Sequence, residues 1–459
     1  MSFRVLSLTL LAALAGALPS EAQQIVVLPN GTWANDVTPD GEVVVGTAPG
    51  GGFIWRWRVD PAPTFVPGAD MVAVSDDGTV VAGTIPFAGP SPETAAIWTA
   101  ATGWQPLGGL ESCDSFLTSA YGISGDGTTI VGLAWMNCHG LGFRWTAATG
   151  MVPLQNLANG NNRCSAISSD GTDLGGFAQG TFNRTPAYWA ADTTGTVLNP
   201  AFRGEVFGFD EDGNLSVGTN YFSGSVYSAF RRNKQTGVMT NLGHLKPTWN
   251  GNATDISEGG GVIVGYDHLV FSREAWIWTA ASGIVSLNAK LTSLGVTGAP
   301  ALQVSRACSD DGNVIVGGCA GTPLGTAGFI VDLAPPSAFV SLGQGLAGIN
   351  GVPALAGTGA LLPAAPVTMA LSNAKPNGSA TLFVGLTAIN APFKQGVLVP
   401  HPNFVLGGLR INGAGAMTLP FAWPAGLPSG FSLFWQAWLA DAAAPAGFAA
   451  SNGLKSTTP

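Results

Sequence analysis

The chain has 459 residues, of which Lys, Arg, Asp and Glu make up only 10%, and a formal net charge of −9. A sparse acidic surface with no run of Lys or Arg excludes nucleic-acid binding, which requires a basic stripe. Sixty-five glycines and 31 prolines interrupt every long apolar run beyond the first residues. That excludes a second membrane-spanning helix and points to the many tight corners of an all-β protein.

Residues 1–22 read as a secretory signal peptide. Arg4 supplies the positive start, Val5 to Leu18 the apolar stretch, and Ser20-Glu-Ala22 a small-x-small site with cleavage before Gln23. The stretch is too short to span a bilayer stably, so no integral membrane span is expected. The expected location is outside the cytoplasm: extracellular, periplasmic or at the cell surface.

A thirteen-residue phrase then organises most of the chain. It reads Ala120-Tyr-Gly-Ile-Ser-Gly-Asp-Gly-Thr-Thr-Ile-Val-Gly132, and it returns at 34–46, 71–83, 164–176, 206–218, 253–265 and, slightly worn, 305–317. An apolar stretch, a polar corner with Gly and a β-branched run form a hairpin signal. The corner glycines Gly41, Gly78, Gly127, Gly171, Gly213, Gly260 and Gly312 are 37, 49, 44, 42, 47 and 52 residues apart. Such a period fits four short strands, the size of a propeller blade. Asp40, Asp77, Asp126, Asp170, Asp212 and Asp311 precede the corner Gly, while the sixth copy has Gly259. A short Asp side chain bonds nearby N–H groups and Gly accepts positive φ, so these pairs are assigned as structural turns. A Ser three residues before the Gly (Ser75, Ser124, Ser168, Ser257) is expected to help.

The acidic stretch Asp210-Glu-Asp-Gly-Asn214 invites a calcium reading. Its Gly falls at position four, whereas an EF-type loop needs it at position six, so turn chemistry is preferred.

A second phrase follows each corner: Phe143-Arg-Trp-Thr146, Ala96-Ile-Trp-Thr99, Ala187-Tyr-Trp-Ala190, Phe230-Arg-Arg-Asn233 and Trp276-Ile-Trp-Thr279. Its recurring Trp (Trp98, Trp145, Trp189, Trp278) is read as a wedge between units rather than a sugar-stacking surface. A third phrase, such as Gly150-Met-Val-Pro-Leu154, completes four strands per unit. The seventh unit lacks that phrase before Pro335-Pro336, and Gln24-Ile-Val-Val-Leu28 resembles it. Ring closure by Ile25 to Leu28 is therefore expected, because an open ring leaves edges unprotected. Residues 23–334 are assigned to a seven-bladed β-propeller.

Beyond Pro335-Pro336 the phrases vanish. Strand-like runs at 367–371, 380–387, 416–421 and 431–439 occur at sandwich-like intervals, and residues 337–459 are assigned to a C-terminal Ig-like β-sandwich. A secreted chain permits disulfides. Cys113 and Cys138 flank one hairpin, and Cys308 and Cys319 another, so all four are disulfide candidates; Cys164 is left over. The alternative for each is a buried apolar thiol.

The three phrases together resemble the extracellular HAF repeat family, with units of the form A-x-x-I-S-x-D-G-x-x-I-V-G, then A-F-x-W-T, then G-x-x-x-L-G. Residues 120–157 match best and the resemblance covers about 24–333. It implies a secreted or surface β-propeller with no defined activity. The fifth copy departs at Phe230-Arg-Arg and the sixth at Glu258-Gly-Gly. The tail is similar to a C-terminal sandwich of secreted planctomycete proteins, on Gly343-x-Gly-Leu, Gly351-x-Pro-x-Leu-x-Gly, Val384-Gly-Leu386, Phe434-Trp-Gln, Asp441, Gly447 and Ser451-Asn452. Neither resemblance brings catalytic residues.

The sequence offers no catalytic, cofactor or metal motif. His139, His244, His268 and His401 fall in probable loops without metal-ligand spacing, and no nucleophile elbow, Walker loop or Cys-x-x-Cys occurs. The functional expectation is a non-catalytic binding or structural module: a rigid propeller that meets an extracellular or cell-surface ligand and uses no cofactor. The alternative is a secreted hydrolase or lyase with its site in the propeller funnel. An enzyme should break the repeat with several polar residues converging in one pocket, and Glu111 to Ser115 with Asn137-Cys-His139 is the local candidate.

Overall fold

A computed structural model describes residues 25–86, 93–110, 117–180, 184–198, 203–222, 226–321, 326–334, 338–359, 361–428 and 430–458. The chain divides into two compact units, one of Gln23–Ala334 and one that takes in Pro335–Pro459. The signal-peptide assignment, Cys113, the 111–115 loop and Pro335-Pro336 lie outside the described residues.

The first unit is a propeller of seven four-stranded antiparallel sheets. The first strands of blades 1 to 7 are Trp33–Val37, Asp70–Val74, Ser119–Ile123, Asn162–Ile167, Gly204–Phe209, Asn250–Ile256 and Leu302–Cys308. Each touches the first strand of the blades on either side, so together they form the wall of a central channel. Blade 7 is closed by the chain's beginning: Ile25–Asn30 pairs with Thr326–Asp332, Ile25 opposite Val331 and Val27 opposite Phe329. Leu28 from this strand is buried in the seam between blades 7 and 1.

Every blade carries a β-bulge at the same place in its first strand. The pairing slips between Ala34 and Asp36, Met71 and Ala73, Ala120 and Gly122, Cys164 and Ala166, Val206 and Gly208, Ala253 and Asp255, and Ser305 and Ala307. The bulge explains the Gly that ends the repeat phrase. A Cβ on Gly132 would lie 2.0 Å from the Ser119 carbonyl oxygen and 2.8 Å from the Phe143 ring. At Gly46, Gly83, Gly176, Gly218, Gly265 and Gly317 the corresponding carbonyl would stand 1.9–2.1 Å away. Only a residue without a side chain allows this approach.

The core is a set of seams between blades. Val45, Met71 and Val81 fill one between blades 1 and 2, and Ala82, Ile130 and Phe143 the next. The repeated Trp packs as a wedge: Trp189 is fully buried, and Trp98, Trp145 and Trp278 lie partly buried against neighbouring seams. Blades 4 and 5 differ, meeting through a buried polar group. Asp173 is 1% exposed, accepts a hydrogen bond from Tyr188 and takes the Lys234 ammonium at 2.7 Å. One short helix, Leu287–Ser293, follows blade 6. Ser286 caps its N-terminus, and Leu287 and Leu291, four apart, bury one face in the seam with blade 7.

The second unit is a β-sandwich. Its larger sheet runs in the order Phe339–Gly343, Gly453–Thr457, Ser432–Ala440, Ser379–Gly385, Phe404–Arg410, and its smaller sheet Ala354–Thr358, Pro366–Ser372, Met417–Ala422. Leu382, Leu433, Trp435 and Leu439 from the first meet Leu355, Val367, Met369 and Leu371 from the second. Two buried polar side chains, Gln436 and Asp441, tie neighbouring segments to the larger sheet. Gln436, fully buried, accepts from the Val399 N–H and donates to Val397 and Ser451 carbonyls, and Asp441 accepts from the Ile349 N–H.

The disulfide candidates need a correction. Cys308 and Cys319 are both free and buried, because the hairpin register sets Cys308 opposite Ile315 and Cys319 opposite Leu302, at its two ends. Cys138 is disulfide-bonded, and Cys164 is a free buried thiol. Two histidines are also placed differently from expectation, since His268 lies within the strand Ile263–Leu269 and His139 opens His139–Thr146.

Candidate functional site

Five corners share one relay. The hydroxyls of Thr38, Ser75, Ser124, Ser168 and Ser309 donate to Asp40, Asp77, Asp126, Asp170 and Asp311 at 2.6–2.8 Å. The same hydroxyls accept the N–H five residues on, each at 3.0 Å. The Asp accepts the N–H two residues on at 2.9 Å, and the following Gly lies at φ of 71–73° in blades 1 to 4 and 69° in blade 7. The acidic side chain is thereby used up by the turn.

Blades 5 and 6 break the relay, and they do so in one place. Blade 5 puts Asp210 where the hydroxyl should be. It accepts the Leu215 N–H at 2.7 Å but, lacking a hydroxyl, faces Asp212 without a hydrogen bond to it. Blade 6 keeps Ser257 but has Gly259 for the turn Asp, and places Glu258 beside the other two. Carboxylate oxygens of Asp210, Asp212 and Glu258 lie within 4.8 Å of one another. Burial, opposed by the Leu215 N–H and reinforced by Asp212 and Glu258, raises the Asp210 pKa to about 6. The three line a cleft of about 640 Å³ together with Arg231, Asn233 and Thr236. Arg231 belongs to the Phe-Arg-Arg departure and also lies 5.5 Å over Trp278. Both departures from the repeat therefore meet in a single cleft. Three carboxylates are fewer than the six to eight oxygens calcium takes, and Asn214 spends its amide on Asp212.

A second acidic group lies on the propeller axis, at the residue before each turn Asp. Sequence reasoning took it for corner chemistry. The positions are Pro39, Asp76, Gly125, Ser169, Glu211, Glu258 and Asp310, and backbone bonds join neighbours: Asp76 N–H to Gly125 O, Gly125 N–H to Ser169 O, Glu258 N–H to Asp310 O, Asp310 N–H to Pro39 O. The Ser169 hydroxyl reaches Asp76 at 2.7 Å and the Glu211 N–H reaches Glu258 at 3.0 Å. Burial, then repulsion from Asp76 and Asp310, holds Glu211 up at about 7. Acidic residues at four of these seven positions were the signal available in the sequence. Further up the channel wall, burial raises Asp36 to about 7 and Asp255 to about 8.

These shifts set a pH dependence. Asp36 and Asp255 hold protons more tightly folded than unfolded, so their contribution is present below about pH 4 and is lost as pH rises through 7 and 8. The corner carboxylates run the other way. The Thr79 N–H lowers Asp77 and the Ser124 hydroxyl lowers Asp126, so their contribution disappears only below pH 4. Thermal unfolding should show its highest midpoint on the acid side of neutrality and a midpoint that falls from about pH 5 to 8 and then levels off. Asp255→Asn, which keeps an acceptor for the Cys308 N–H, should flatten that fall; an unchanged slope would contradict the assignment.

The enzyme alternative finds a hydroxyl–imidazole pair, Ser228 Oγ 3.2 Å from His244 Nε2. Ser228 is 3% exposed, and His244 Nδ1 has no partner among the described residues. Asp267, the nearby acid, accepts instead from Trp276 and from the Lys246 N–H. The pair lacks both access and an orienting group, so it does not make a nucleophile.

No family model and no curated protein matches the chain. Among solved structures, the chain is similar to TolB from Acinetobacter baumannii, at 12% identity, 68% of this chain, 79% of that one and a TM-score of 0.37. It is also similar to the β-propeller domain of the trilobed protease from Pyrococcus furiosus, at 10%, 70%, 98% and 0.44. Oligogalacturonate lyase from Vibrio parahaemolyticus gives 12%, 68%, 92% and 0.45. Likenesses this distant go no further than the propeller fold. No helix among the described residues is long and apolar enough to cross a membrane.

Proposed function

We propose that the protein is an extracytoplasmic interaction module in which the propeller holds a basic side chain of a partner protein in the cleft between blades 5 and 6. One observation carries this reading: the two departures from an otherwise regular repeat converge there, and the three carboxylates form no ion pair among the described residues, Arg231 in the same cleft included. The remainder of the fold is a rigid frame whose corner acids are already committed to turns. The residues 1–22 and the HAF-type phrases support an address outside the cytoplasm, and the chain's net charge of −9 favours encounter with a basic partner.

Hexalysine is a direct probe. It should bind the protein at an ionic strength of about 0.01 M and be released toward about 1 M, where screening falls to a few ångströms. The double variant Asp210→Asn, Glu258→Gln should weaken binding at least tenfold, whereas Asp126→Asn, at a corner with a complete relay, should not. Equal binding by the double variant overturns the proposal. So does a calcium-induced rise in melting temperature that the double variant loses, which would make the trio a metal site.

A further inference from the structure

The bulge that recurs in every first strand presents one extra residue per blade to the channel wall: Asn35, Val72, Tyr121, Ser165, Phe207, Thr254 and Arg306. These side chains reach sideways to the next blade. Asn35 donates to the Met71 carbonyl, Thr254 to the Ser305 carbonyl, Tyr121 carries Arg163 over its ring, and Arg306 lies 5.2 Å over Trp33 of blade 1. Six of the seven are uncharged and partly buried; Arg306 alone carries a charge and is exposed.

Arg306 is nevertheless surrounded by protein, and the loss of hydration pulls its pKa below the usual guanidinium value, with Arg273 adding repulsion. Exposure to water together with desolvation by protein is what a side chain inside a channel experiences. Among the described residues no carboxylate pairs with Arg306 or Arg273. The channel acids Asp36 and Asp255 are engaged elsewhere, by the N–H groups of Val74 and Cys308. By contrast, Arg163 in blade 4 has its acid, Glu205, at 2.6 Å. An unpaired guanidinium kept in a low-dielectric site is costly unless something supplies the counter-charge.

The neighbours are suited to an anion. Tyr266 lies in the fields of both Arg306 and Arg273, and His268, with its ring 5.9 Å from Tyr266, faces Arg273 across the hairpin. Asn252 Nδ2 stands 3.0 Å from His268 Nδ1, which places the imidazole proton on Nε2, where it is a donor. Burial and then Arg273 lower the His268 pKa.

We infer that the propeller channel contains an anion site, separate from the blade 5–6 cleft, in which Arg306 beside Trp33, Tyr266, His268 and Arg273 binds the carboxylate of a small ligand. The planar guanidinium fork matches a carboxylate in two parallel hydrogen bonds, and the Trp33 ring stacked against the guanidinium holds the fork in place.

The test compares sodium acetate, sodium phosphate and sodium chloride at equal ionic strength on the full chain. Acetate should raise the melting temperature saturably relative to chloride, and Arg306→Met should weaken that response at least tenfold in acetate concentration while Arg231→Met leaves it intact. Because the guanidinium is uncompensated without ligand, Arg306→Met in chloride should melt no lower than the parent. The inference is overturned by an acetate response that survives in Arg306→Met, by equal effects of acetate and chloride, or by Arg306→Met failing to fold in chloride, which would make the side chain structural. A phosphate response stronger than that of acetate overturns the carboxylate assignment. None of these outcomes bears on hexalysine binding, so the two proposals fail separately.

Discussion

Gly132→Ala is expected to destabilise the propeller by about 3 kcal/mol or more, toward the upper end of what overpacking costs. The new methyl would stand 2.0 Å from the Ser119 carbonyl and 2.8 Å from the Phe143 ring, so either the bulge must open or the ring must leave a seam in which it is fully buried. Gly150→Ala is the contrasting case. That glycine, unlike Gly132, has positive φ, 65°, but a Cβ there meets nothing within 4 Å, so the expected cost is about 1–2 kcal/mol, the left-handed backbone alone. Denaturant unfolding of both variants separates the effects. A loss at Gly132 no larger than that at Gly150 would mean that the close approach is relieved cheaply and does not explain the glycine at the end of the phrase.

Removing residues 1–30 should be more damaging still. Blade 7 would keep three strands, Thr326–Asp332 would become an unpaired edge, and Leu28 would leave the seam it shares with Val37, Phe53 and Ile330. Loss of Leu28 alone costs about 2–3 kcal/mol, before the lost ladder and the exposed edge are counted. Circular dichroism during thermal unfolding should show a broad, non-cooperative transition, and light scattering should show association through the open edge. A truncated chain that melts as sharply as the parent would show that the ring does not depend on this closure.

Much of the architecture could be read from short-range pattern. Asp126-Gly127 specifies its corner by side-chain acceptance and positive φ, both local events, and the same holds for the four other corners with a complete relay. The run Thr128-Thr-Ile-Val131 is β-branched, and the regular spacing of corners requires units of four strands. Ile25 to Leu28 could be matched to the missing strand because an incomplete blade states what it lacks. The helix Leu287–Ser293 was less legible: seven residues with two leucines read as easily as the end of a strand, and burial against blade 7 decided the matter. The pairing of Cys308 with Cys319 failed for a related reason, since flanking a hairpin says nothing about register, and the register separates them.

Neither candidate site is a motif, and that is why no scan of the chain could have assembled it. Asp210 and Glu258 are 48 residues apart, and Arg306 and Trp33 are 273 apart; each pair meets because adjacent blades lie side by side once the ring closes. Local chemistry determined where the chain turns, where it pairs and which residues face inward, because those depend on neighbours within a few positions. Which acid is spent on a turn and which is left over, and which cation lacks a counter-charge, depends on what the next blade brings. Electrostatic partners are set by distance in space, and the closed ring, not the order of residues, sets that distance.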